Sequence, residues 1–158
     1  MSALGGAARD LGATTEAIQT SPDFRRILVR RAAEAVVVDL VREYVAQASP
    51  EKQVIRGIRV DPPEEIMANK LCTLLSRSEV RDLVDVRALE RAGYSLDNAL
   101  TAAATKDKGL TPAQLAWVLS QIEIGPDLVP PGNVSLKELR DYLADLIVRL
   151  TQKAFPTC

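Results

Sequence analysis

The 158-residue sequence contains no histidine. That excludes imidazole general bases, Ser-His and Cys-His dyads, and His-ligated zinc. Aromatic residues make up 4% of the chain, too few for a platform on which bases stack. The two cysteines are Cys72, within a helical pattern, and Cys158, the last residue. They form no disulfide framework and suit a reducing compartment. No apolar run approaches the roughly 18 residues that a membrane span needs. The small-residue start lacks the apolar core of a signal peptide, so the expectation is a cytoplasmic protein with no membrane contact. Neither sign of charge dominates, with 20 basic against 21 acidic residues. A polyanionic partner would therefore have to be held by a local patch rather than by a global field. A catalyst built from this inventory must work with carboxylates, lysines, hydroxyls and metal ions.

What is present is the composition of a globular protein: 47% hydrophobic and 26% charged residues. Residues Met1–Leu11 are small and glycine-bearing, which predicts little regular structure. Ala13–Ile18 suits a short strand. Phe24–Arg31 (FRRILVRR) and Ala35–Val41 (AVVVDLV) are β-branched runs that read as a hairpin, although the turn between them lacks Asn-Gly or Asp-Gly. Val54–Val60 predicts one further strand. From Asp61 the pattern becomes helical. Asp61-Pro62-Pro63-Glu64 supplies an acidic N-cap, a proline at the first position and an early glutamate, for a helix to about Leu75. A second helix covers about Glu79–Ala92 and stops at Gly93. Ser95 caps a third, Thr111-Pro112-Ala113-Gln114 opens a fourth, and Ser135-Leu136-Lys137-Glu138 is a capping box for the last. In that last helix Leu136, Leu139, Leu143, Leu146, Ile147 and Leu150 form one apolar stripe. The predicted class is α+β: a small, mostly antiparallel sheet in residues 1–60, followed by a C-terminal helical bundle in 61–158, the two forming one compact unit.

Two polar residues break this pattern. In the first long helix Ile66, Lys70 and Leu74 share one row and Met67, Leu71 and Leu75 the next, so Lys70 lies inside the apolar arc. Either its head reaches water past a packed stem, or it is paired. In the second helix Asp82, Asp85 and Leu89 share a stripe. Arg81 is placed to pair with Asp85 at i+4, whereas Asp82 has no cation at i+3 or i+4 and should find one across the fold. Lys70 is the nearest inward-facing candidate. A structural clamp between helices and a functional pair both satisfy these positions.

The segment Pro63-Glu-Glu-Ile-Met-Ala-Asn-Lys70-Leu, followed by Leu-Leu-Ser-Arg-Ser-Glu-Val-Arg81-Asp82-Leu-Val-Asp85, resembles the bacterial AbiEii-type nucleotidyltransferase toxins, whose features include a helix-borne Lys and an Arg-Asp-x-x-Asp segment. Lys106-Asp107-Lys108-Gly109-Leu110 and the helix containing Trp117 are similar to their C-terminal part. The resemblance covers about Phe24 to Phe155. It implies transfer of a nucleotide from a nucleoside triphosphate to an acceptor such as the tRNA 3′ end, Mg²⁺ as cofactor, and a cognate antitoxin as partner. It also implies a phosphate-binding and catalytic role for Lys70. Asp82, or Asp85, would be the acid that positions Lys70 or takes part in catalysis. Asp39, on Val-Val-Val-Asp-Leu, would be a metal ligand, or else an ordinary solvent-facing aspartate.

The same family carries a Gly-Gly or Gly-Ser turn and then Asp-x-Asp. Gly5-Gly6 is present here, but Asp10, Glu16 and Asp23 stand singly. The expectation is a chain truncated relative to the family pattern and inactive or impaired by itself, with an uncovered strand edge that favours a homodimer. The alternative is a non-catalytic module that binds an antitoxin or RNA, with Arg25, Arg26, Arg30 and Arg31 on the basic strand touching phosphates.

Overall fold

The computed structural model describes residues 3–42, 44, 45, 47–49 and 51–156. Its class is α+β, as the sequence predicts, with six helices and two antiparallel sheets. The chain divides into two compact units, residues 1–45 and 46–158. The boundary falls ahead of the second sheet, so that sheet belongs with the helices.

The first unit opens with helix α1 (Ala3–Asp10), where the sequence reading expected no regular structure. Its end explains why it holds. Gly12 sits at φ 69, and the Ala13 and Gly12 amides donate to the Ala8 and Arg9 carbonyls. This paired closure satisfies the last carbonyls of the helix and favours glycine, which carries no Cβ. Strands β1 (Thr14–Ser21), β2 (Phe24–Arg31) and β3 (Glu34–Val41) then form a meander in the order β1-β2-β3. β2 and β3 pair without interruption from Phe24↔Val41 to Arg31↔Glu34, around a turn in which Ala32 takes φ 50. The expected hairpin is therefore present without the usual turn residues. Buried apolar side chains among the described residues of this unit are Ala8, Ala13 and Ile27, so its core is thin.

The second unit begins with β4 (Gln53–Ile55) and β5 (Ile58–Val60). The single strand expected over Val54–Val60 is thus two. Arg56 (φ 50) and Gly57 (φ 79) fold it into a two-residue turn whose positive φ values match hairpin twist. An ion pair between Lys52 and Asp61, at 2.5 Å, closes the base of the hairpin. Helix α2 (Pro63–Arg77) follows. Its N-cap is Pro62, with no side-chain cap, so Asp61 is not the expected cap; its carboxylate serves Lys52 instead.

Helices α3 (Val80–Arg91), α4 (Leu96–Lys106), α5 (Pro112–Ser120) and α6 (Leu136–Ala154) complete the unit. Ser95 accepts from the Asn98 amide and Thr111 from the Gln114 amide. Ser135 and Glu138 form the full reciprocal capping box. α2 packs on α3, α4 and α5, while α6 packs on α3 and α5. The centre is fully buried: Met67, Leu71 and Leu74 of α2, Leu83 and Val86 of α3, Leu115 and Leu119 of α5, and Leu139, Leu146 and Leu150 of α6. Each contributes about 1.5–3 kcal/mol relative to exposure. This core fixes α2 against α3, and that juxtaposition builds the site described next.

Candidate functional site

Leu71, Leu74 and Leu83 lock the facing sides of α2 and α3. Lys70 precedes Leu71, and Asp82 precedes Leu83. Burying the leucines therefore carries both polar residues into the seam. The Lys70 ammonium donates to Asp82 Oδ1 at 2.7 Å and lies 2.6 Å from Asp85 Oδ2. Asp82 is fully buried; Lys70 is 25% exposed and Asp85 47%. Asp82 Oδ2 accepts two further hydrogen bonds, from Arg77 Nε at 3.1 Å and Nη2 at 3.0 Å. The buried carboxylate is thus satisfied on both oxygens by cations that open toward solvent, which is what a buried charge requires. Its place in the first turn of α3 adds a favourable dipole interaction.

The electrostatics agree with this geometry. Burial pushes the Asp82 carboxyl up, but hydrogen bonds and attraction from Lys70 and Arg77 outweigh it and hold the group below its ordinary value. Burial likewise works against the Lys70 charge, yet bonds to Asp82 and Asp85 keep its pKa raised. Both groups remain charged near neutrality. The seam therefore holds a partly exposed ammonium between a fully buried carboxylate and a half-exposed one.

Lys70, Asp82 and Asp85 are brought together. Arg81 does not pair with Asp85 as its i+4 spacing suggests; it bonds Glu79 at 2.6 Å instead, and Asp85 turns to Lys70. Arg77 was not anticipated. Asp39 and the four arginines belong to the first unit. Both Asp39 oxygens accept from Arg26, at 2.8 Å each. Arg26 lowers the Asp39 pKa by hydrogen bonding, and the Arg26 pKa is raised in return. The β2 pleat places Arg26 and Arg30 on one face of the sheet and Arg25 and Arg31 on the other, so FRRILVRR does not present one row of cations.

Two other polar clusters escaped the sequence reading. Glu65 is buried on α2, ion-paired with Lys106 of α4, and accepts the Ser49 amide at 2.9 Å. Glu90 of α3 takes Arg149 Nη1 at 2.7 Å, Arg149 Nη2 at 2.9 Å and the Tyr142 hydroxyl at 2.6 Å, joining α3 to α6. Burial raises the Glu90 pKa, but Arg149 and Tyr142 outweigh it and leave it lowered. The Tyr142 pKa is raised, first by burial and then by Glu90. Glu65 and Glu90 carried no local signal, because their cationic partners lie 41 and 59 residues away.

A family model described as Nucleotidyl transferase AbiEii toxin, Type IV TA system, matches residues 8–156. The chain belongs to the AbiEii nucleotidyl transferase toxin family. No curated protein and no solved structure matches it. Among the described residues, no helix is long and apolar enough to cross a membrane.

Nucleotidyltransferases of this kind generally use a divalent metal, and the donor set of the AbiEii chain can be tested against one. Among the described residues, no group of three or more carboxylates or thiols could hold a metal ion. Asp39 is fully occupied by Arg26, and Asp85 Oδ2 faces an ammonium. Each would have to leave its cation to meet Mg²⁺, which takes one or two carboxylates together with substrate phosphates and water.

Proposed function

We propose that this chain carries the phosphate-binding half of a nucleotidyltransferase toxin, with Lys70 as the cation that meets the triphosphate of an incoming nucleoside triphosphate. The observation that carries this reading is the partly exposed Lys70 ammonium, anchored by fully buried Asp82 and touched by half-exposed Asp85. Asp82 acts as the positioning residue. It keeps Lys70 charged and in place, so only Asp85 has to move when an anion arrives. Asp85 is the group a phosphate oxygen displaces, since it shares the same ammonium and can turn to water. Arg77, bound to the other oxygen of Asp82, adds a second cation to the cluster. A family acceptor such as the tRNA 3′ end completes the reading, with a cognate antitoxin as partner and a cytoplasmic location.

Mg²⁺ is the ion this chemistry implies. Asp39 and Asp85, the carboxylates that would meet it, are each held by a cation, and this supports reading the chain by itself as an impaired or inactive transferase, with self-association as a homodimer in the same picture. The sheet region and the helical region serve different ends in it, the helical one holding phosphate. A second reading, a non-catalytic module for RNA or an antitoxin, draws on exposed Arg25, Arg30 and Arg31, which have no ion pair among the described residues.

Titration with a labelled nucleoside triphosphate tests the assignment. Lys70→Ala should weaken binding at least about tenfold, the equivalent of one charge-assisted contact of roughly 1.4 kcal/mol or more. Asp85→Asn should bind more tightly than the native chain, because it removes the competitor for Lys70. Unchanged affinity in Lys70→Ala would overturn the phosphate role. Labelled nucleotide incorporated into tRNA by the purified chain, and abolished by Lys70→Ala, would overturn the impairment.

A further inference from the structure

The sheet of the first unit has two edges, and they are built differently. β1 carries Thr14, Thr15, Glu16, Gln19, Thr20 and Ser21, and its register with β2 shifts between Ala17 and Gln19. Polar side chains and a bulge are the devices that discourage a further strand from adding. β3 has neither a bulge nor a lysine nor a proline. Its pairing with β2 is regular along all eight residues. Its other side faces no strand among the described residues, leaving alternate main-chain donors and acceptors open. Val36, Val37, Leu40 and Val41 are exposed, and they alternate between the two faces.

We infer that β3 is a strand-addition interface for a second copy of this chain, the two β3 strands running antiparallel about a two-fold axis at Val37. The result is a continuous six-stranded sheet. The sequence of β3 selects this occupant. With Val37 opposite its own copy, Val36 faces Val38, Ala35 faces Asp39 and Glu34 faces Leu40. Four valines then meet on one face, Val36 and Val38 of each chain, and the two Val37 side chains on the other, and no like charges stand directly opposite. Asp39 brings no unpaired charge to the interface, because Arg26 of its own chain already holds both oxygens. Moving the axis to Val38 would set Val37 against Asp39 and break the valine cluster. An isologous pair of this kind closes on itself, so association stops at two chains.

Sedimentation or light scattering on the 158-residue chain, across roughly 1–200 μM so that mass action is visible, should show a dimer forming. Val37→Lys and Val37→Glu, at a position already exposed, should each be monomeric with unchanged far-UV circular dichroism. An equimolar mixture of the two should dimerise again, because lysine then meets glutamate across the axis. Val54→Lys, also exposed but on β4, should dimerise like the native chain. A native chain that stays monomeric, a Val37→Lys chain that still dimerises, a mixture that stays monomeric, or assembly beyond two chains would each overturn the interface. No nucleotide enters this test, so its outcome is independent of the role given to Lys70.

Discussion

Replacing Asp82 with alanine removes the one carboxylate to which both cations of the α2–α3 seam are tied. Where a buried ion pair loses one member and strands the other, the cost is about 3–5 kcal/mol. The seam is more forgiving than that limit. Lys70 keeps Asp85 at 2.6 Å, and Arg77, already 44% exposed, keeps Glu79 at 3.6 Å. The loss should therefore be about 2–3 kcal/mol, the hydrogen bonds of a charged group plus a small cavity. For a unit of this size each kcal/mol moves Tm by roughly 4 °C, so the expected fall is about 8–12 °C. Thermal unfolding followed by circular dichroism measures it. The pH dependence separates charge from packing. The Asp82 pKa is lowered on folding, so its stabilisation is present above the ordinary carboxylate value and lost as pH falls through the folded one. The gap between native and Asp82→Asn chains should be full at neutrality and should shrink below about pH 4. An Asp82→Ala chain with native Tm, or an Asp82→Asn gap that persists in acid, would refute the electrostatic account.

Glu65→Ala should cost about 1.5–3 kcal/mol, the hydrogen bonds of a charged group, because it removes the carboxylate that bonds Lys106 and the Ser49 amide; urea unfolding should show the midpoint moved and the slope unchanged. Tyr142→Phe removes only the hydroxyl that Glu90 accepts at 2.6 Å, while Arg149 still holds the same carboxylate. A loss of about 1–2 kcal/mol is expected by chemical denaturation, and no loss would mean that the hydroxyl adds nothing to the hold of Arg149 on Glu90.

The helical half was legible because its signals are local. Ser95, Thr111 and Ser135 cap where their side chains reach amides three residues on, and Gly93 ends α3 where a positive φ is needed. Lys70 and Asp82 were conspicuous for the same reason: each breaks an apolar row on its own helix. The same local logic had more to give. Gly12 and Arg56-Gly57 carried turn signals that an Ala-rich start and a β-branched run obscured.

The sequence by itself determined most of the helices and strands, α1 and the β4–β5 turn excepted, and that a lysine and two aspartates share the inner faces of α2 and α3. Periodicity and capping depend only on neighbours in the chain, so they can be read without knowing what lies across the fold. Tertiary structure decided the partners. It turned Asp85 from Arg81 to Lys70, brought Arg77 onto Asp82, gave both oxygens of Asp39 to Arg26, and joined Glu65 to Lys106. Electrostatic partnership depends on distance through space, and packing of the leucine core is what sets those distances.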